Sequence, residues 1–161
     1  MKDIILIATI KDWNINNFYE FKKKFEDKYN LYLITNKDDL IYQNVKDLNP
    51  KYIFFPHWSW LIPNEIYKNY ECILFHMTDL PYGRGGSPLQ NLIIKGIYKT
   101  KISAIKVDKQ MDSGDIYFKE DFDISEGSAE EIFIKASKIT FEKLIPKFLK
   151  EEIPLKVILI H

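Results

Sequence analysis

The stretch Phe75-His76-Met77-Thr78-Asp79-Leu80-Pro81-Tyr82-Gly83-Arg84-Gly85-Gly86-Ser87-Pro88 decides how this chain folds. It follows residues 72–75 (CILF), a short apolar run that reads as a buried strand. A histidine therefore emerges where a strand ends. Pro81 and the glycines at 83, 85 and 86 then force a tight, exposed backbone. Ser87 suits a helix cap, and Pro88 suits the first turn after it. A strand end, a shaped loop and a helix start are where open α/β sheets place their ligands. A lone histidine there reads as readily as a structural residue. The clustered glycines favour a site, because a purely structural turn rarely needs three.

Working outward, the same alternation of strands and helices runs along the chain. Residues 3–10 (DIILIATI) form an apolar, β-rich run expected to be the first and central strand. Residues 14–29 read as a helix, with Phe18, Phe21 and Phe25 on one face and a solvated Lys22-Lys23-Lys24 run. Strands follow at 31–35 and 51–55, around a polar, ambiguous stretch at 36–50. A short helix is expected near 64–69. Beyond the glycine loop come a helix at 89–95, a fifth strand at 101–107 and a candidate sixth at 115–119. Ser128-Ala129-Glu130-Glu131 has capping-box spacing and opens a long helix to about residue 149, which Pro146 should kink or end. Residues 157–160 read as an edge strand or a frayed end. The predicted architecture is α/β: a mostly parallel, Rossmann-like open sheet with helices on both faces.

Composition narrows the function classes. A chain of 161 residues suits one domain. Lys+Arg and Asp+Glu both number 23, and this zero formal balance argues against non-specific nucleic-acid binding. The single cysteine, Cys72, lies in an apolar strand and reads as inert core. No apolar run reaches the length of a membrane span and no signal-peptide pattern opens the chain, so a cytoplasmic protein without a membrane partner is expected.

Few residues are equipped for chemistry. His57 and His76 both follow predicted strands, so a parallel sheet would bring them to one edge. A metal would want further ligands at recognisable spacing, and none is obvious, so no metal is expected. Asp112 and Asp115 flank a Ser-Gly turn after the fifth strand. They read either as Asx-turn residues or as carboxylate partners that raise and orient His76 for proton transfer. The glycine loop lacks the Lys-Ser/Thr of a P-loop, and the first strand leads into Lys11-Asp12-Trp13-Asn14 without the dinucleotide glycines. Phe55, Trp58 and Trp60 read either as core or as a flat slot for a planar ring.

At this point a family resemblance emerges. His76-Met77-Thr78-Asp79-Leu80-Pro81, then Arg84-Gly85, Pro88 and Gln90, resembles the signature of the 10-formyltetrahydrofolate-dependent formyltransferases. Met111-Asp112-Ser113-Gly114-Asp115-Ile116 is similar to that family's second signature, and Trp58-Ser59-Trp60-Leu61-Ile62-Pro63 to its folate-bordering segment. The likeness runs from about residue 51 to 125, in the family's order. It implies one formyltransferase-like catalytic domain over 1–161, short at the C-terminus, using 10-formyltetrahydrofolate as co-substrate. It also implies catalytic roles for His76 and Asp112. Folate contacts would come from Trp58, Ser59, Trp60 and Leu61 on one side and Lys109, Gln110 and Met111 on the other. Acceptor contacts would come from Thr78, Arg84, Gly85, Gly86 and Gln90. The glycine-rich form of the loop resembles the branch that formylates amino sugars. The acceptor expected from it is therefore the amine of a nucleotide-linked amino sugar, with no nucleic acid; a homodimer is left open. Where the family carries an asparagine two residues before the histidine, this chain has Leu74, which cannot donate to an oxyanion. A folate-binding scaffold with weakened catalysis and a formyltetrahydrofolate hydrolase are the alternatives.

Overall fold

The computed structural model describes residues 1–77, 96, 99–109 and 114–150. Strands β1 (Asp3–Ala8), β2 (Tyr29–Ile34), β3 (Tyr52–Phe55), β4 (Cys72–His76), β5 (Lys99–Lys106) and β6 (Ile116–Asp123) form one sheet. Their order is β2-β1-β3-β4-β5-β6. The first four run parallel, as expected, while β5 and β6 turn antiparallel to their neighbours. β1 lies inside the sheet but second from its edge, so β3 and β4 take the centre.

Both faces are buried, which is why β1 is apolar at consecutive positions. Ile5, Ile7, Phe54 and Ile73 point to one face, against Phe18 and Phe21 of helix α1 (Asp12–Phe25). Leu6, Ala8, Ile53, Phe55 and Cys72 point to the other. There they meet Val45 of α2 (Tyr42–Leu48) and Ile66 of α3 (Asn64–Asn69). Burial pushes the Cys72 thiol up to about 12, consistent with an inert core residue. α1 starts and stops earlier than its periodicity suggests, because Tyr29 is already paired with Asp3 in the sheet.

The C-terminal helical segment carries two findings. Helix α4 (Ala129–Ile139) opens with the predicted capping box: the Ser128 hydroxyl accepts from the Glu131 amide, and the Glu131 carboxylate accepts from the Ser128 amide. Those bonds hold the Glu131 carboxyl below its ordinary value. Ser128→Ala should therefore cost about 1 kcal/mol of stability, read by denaturant unfolding, and a change under a few tenths would show that the cap is idle. The helix does not end at Pro146. A π-helical turn, Thr140–Leu144, widens the ladder just before the proline, with the Ile145 amide bonded to the Thr140 carbonyl. Helix α5 (Ile145–Lys150) then continues through Pro146, which has no amide to donate. Residues 89–95 and 157–160, read as a helix and an edge strand, lie outside the described residues.

Candidate functional site

A cavity of about 700 Å³ opens where β1, β3 and β4 end, a volume suited to a drug-sized or cofactor-sized ligand. β3 supplies one wall. After Phe55 and Pro56 the chain turns sharply at His57, whose φ of 69° is unusual for a residue with a side chain. The Thr9 hydroxyl donates to the Pro56 carbonyl and ties this turn to the end of β1. Trp58 then packs edge-on against Trp60, with centroids 5.0 Å apart, and against Phe55 at 6.1 Å. The Trp58 indole N–H is buried without a hydrogen-bond partner, while Trp60 (39% exposed) and Leu61 (84% exposed) reach solvent. Phe55 and Trp58 anchor the aromatic trio in the core, and Trp60 borders the cavity opening.

The opposite wall comes from far along the chain. Phe133, Ala136 and Ser137 of α4 and Thr140 of the π-turn line it, together with Asn14 of α1. Asn14 is buried and donates to the Ile10 carbonyl at 2.8 Å, and Asn17 donates to the Ser137 hydroxyl at 2.9 Å. The sequence reading missed this polar ledge. Asn-x-x-Asn in a helix is unremarkable until a second helix, packed beside it on the same face of the sheet, lands on it.

The predicted site residues separate into three groups. Trp58, Ser59, Trp60, Leu61 and Lys109 do line one cavity. His76 is the last residue of β4, paired with Ser103 and only 7% exposed; it is not among the cavity-lining residues, although Leu74, Phe75 and Met77 beside it are. Cys72 and Leu74 pack with the Phe55 cluster, and Ile73 and Phe75 with the Phe54 cluster, as strand alternation requires, while Leu74 and Phe75 both line the cavity at the strand's end. Thr78, Arg84, Gly85, Gly86, Gln90, Gln110, Met111 and Asp112 lie outside the described residues, and with them the pairing of His76 with Asp112. Among the described residues no group of three or more His, Cys, Asp or Glu side chains could hold a metal. Nor is any described helix long and apolar enough to cross a membrane.

His57 is the titratable group best placed on the cavity wall. Its ring sits over Phe133 at 5.6 Å. Burial, and secondly the positive charge of Lys11, hold its pKa below the ordinary histidine value. The sign of the linkage follows: its contribution to stability is present above the ordinary value and is lost as pH falls from there through the lower folded-state value. Unfolding measured at about pH 7.5 and pH 5.5 should show stability falling with acid, and His57→Gly should flatten that fall. Equal slopes for the two proteins would mean that His57 is not buried neutral.

An open α/β sheet with an aromatic-walled cleft beyond its parallel strand ends defines a ligand-binding domain of the Rossmann-like class. The chain belongs to the formyl transferase family, whose profile matches residues 19–149. It is 35% identical over 114 residues to a methionyl-tRNA formyltransferase of Rickettsia rickettsii, a match covering 69% of this chain and 38% of that protein. A methionyl-tRNA formyltransferase of Campylobacter lari is 33% identical over 140 residues, covering 78% and 46%. The structure of the methionyl-tRNA formyltransferase from Clostridium thermocellum superposes with a TM-score of 0.92 at 60% identity, covering 96% of this chain and 67% of that one. The chain thus matches less than half the length of these two curated relatives.

These relatives overturn the expected amino-sugar acceptor and the exclusion of nucleic acid, since all three are named for an aminoacylated RNA. The error has a physical source. A whole-chain balance of 23 against 23 charges speaks only to sequence-independent grip on a phosphate backbone, not to recognition of one particular end of an RNA. The glycine-rich loop does not decide between acceptors either.

Proposed function

We propose that this chain transfers the formyl group of 10-formyltetrahydrofolate to the amino group of methionyl-tRNA. The observation that carries the reading is the cleft. Its wall from Trp58 to Leu61 offers flat aromatic surface for a pterin ring, and Lys109 lines the same cavity. The amine attacks the formyl carbon, negative charge grows on the formyl oxygen, and one proton leaves the attacking nitrogen. His76, at the end of β4 beside that cavity, is the candidate to hold or pass that proton, oriented by Asp112. The acceptor rests on the named activity of the three relatives.

The experiment is release of tetrahydrofolate from 10-formyltetrahydrofolate, with and without methionyl-tRNA. Release that depends on the acceptor, with formyl recovered on the amino acid, is the expected result. Release without acceptor would instead mean a hydrolase, and tight folate binding with no turnover a scaffold.

A further inference from the structure

We propose that His57 donates a hydrogen bond to the formyl oxygen as negative charge develops on it; this rests on the formyl-transfer reading above. Position is the first ground. Phe55, the last residue of β3, is paired with Leu74 of β4, and His76 ends β4, so His57 and His76 both follow that pairing at the same end of the sheet.

The backbone is the second ground. Apart from glycines, the described residues hold three positive φ angles: Lys11 at 76°, Asn49 at 52° and His57 at 69°. Asn49 is an ordinary left-handed helix cap, ending α2. Lys11 and His57 instead sit at the ends of neighbouring strands β1 and β3, and Lys11 acts electrostatically on His57. Such conformations are costly for residues with a side chain and persist where the surroundings over-determine them. Here the Thr9 bond to Pro56 and the Phe133 ring fix the turn and the imidazole.

Chemistry is the third. The imidazole lines the cavity, yet its nitrogens make no hydrogen bond to the described residues, so its N–H is unspent. Neutral imidazole carries one donor. Leu74, Phe75 and Phe55 around the strand ends offer none from their side chains, and their apolar surface strengthens a hydrogen bond made among them. Burial first, and secondly the positive charge of Lys11, disfavour a charged His57, and that same positive charge favours an anion nearby.

In the step itself the amine lone pair forms the new C–N bond and the carbonyl π pair moves onto oxygen, which accepts from His57. The C=O bond then re-forms as the bond from carbon to N10 breaks. N10 leaves with that electron pair and takes up a proton equivalent to the one lost by the attacking nitrogen. His57 keeps its own proton throughout.

His57→Gly removes the donor and adopts a φ of 69° without strain, so it tests the role without endangering the fold. His57→Asn returns a short donor and tolerates the left-handed region. With 10-formyltetrahydrofolate and methionyl-tRNA, the glycine variant should lose about a hundredfold in kcat, and the asparagine variant should recover at least about tenfold of that loss. Folate binding, read by tryptophan fluorescence, should stay within about threefold for both, since the interaction belongs to the transition state. Glycine-variant turnover within about threefold of wild type overturns the inference. So does an asparagine variant as slow as glycine, or a rate loss matched by lost folate affinity. Wild-type chain that transfers no formyl group overturns the proposed function itself, and this inference with it.

Discussion

His76→Asn should lower formyl transfer by about a thousandfold while leaving the fold intact. The argument begins with position: His76 ends β4, is 7% exposed and lies across from Ser103 of the antiparallel neighbour. A strand end fixes a side chain far better than a loop does. Imidazole ionises close to neutral pH, whereas a carboxamide never carries a proton on or off. Asparagine keeps a polar group in a buried place, so the loss read is one of proton handling and orientation more than of packing. The measurement is the rate of tetrahydrofolate release under single turnover, with folate binding and thermal melting followed in parallel. A loss below about tenfold would remove His76 from the reaction and leave it as a buried structural histidine. A variant that melts far below wild type would mark it as structural for a different reason.

Gly114→Ala should be the most damaging small substitution for stability. A β-carbon at this position would lie 1.7 Å from the carbonyl oxygen of Lys106, and that oxygen belongs to backbone, not to the end of a flexible side chain. The same crossing is stitched by the Lys106 amide, which donates to the Asp115 carbonyl at 2.8 Å. The methyl group therefore forces β5 and β6 apart where they first meet. Overpacking against rigid neighbours costs about 1–3 kcal/mol and at times more; with backbone on the receiving side the upper end applies. For a chain of this size about 3 kcal/mol lowers the melting temperature by roughly 6–12 °C. A shift below about 2 °C would show that the two strands yield easily. Gly114 closes the Met111-Asp112-Ser113 stretch, so the same variant also tests whether the strand crossing sets the position of Asp112.

Several features of this protein are determined by local sequence alone. The runs at 3–8, 52–55 and 72–76 are strands because consecutive apolar residues satisfy both faces of a covered sheet. Ser128 and Glu131 cap a helix because each bond of the box reaches only three residues. Parity along β4 sends Cys72 and Leu74 to one face of the sheet and Ile73 and Phe75 to the other, since successive side chains alternate. The histidine at the strand end is legible for the same local reason, whereas the segment from Trp58 to Leu61 is marked out by its family resemblance.

Other features needed the tertiary structure. Residues 99–106 (KTKISAIK) mark a strand but not its direction, which its pairing with β4 decides. The left-handed turn at His57 carries no glycine to announce it; packing of Phe133 and the Thr9 bond impose it. The ledge of Asn14, Ser137 and Thr140 joins residues more than a hundred positions apart, and Pro146 breaks nothing because a π-turn precedes it. Local propensity and periodicity set which residues are buried and in which element. The cleft arises where elements distant in sequence share an edge, and that sharing is a property of packing, to which no single stretch of the chain holds the key.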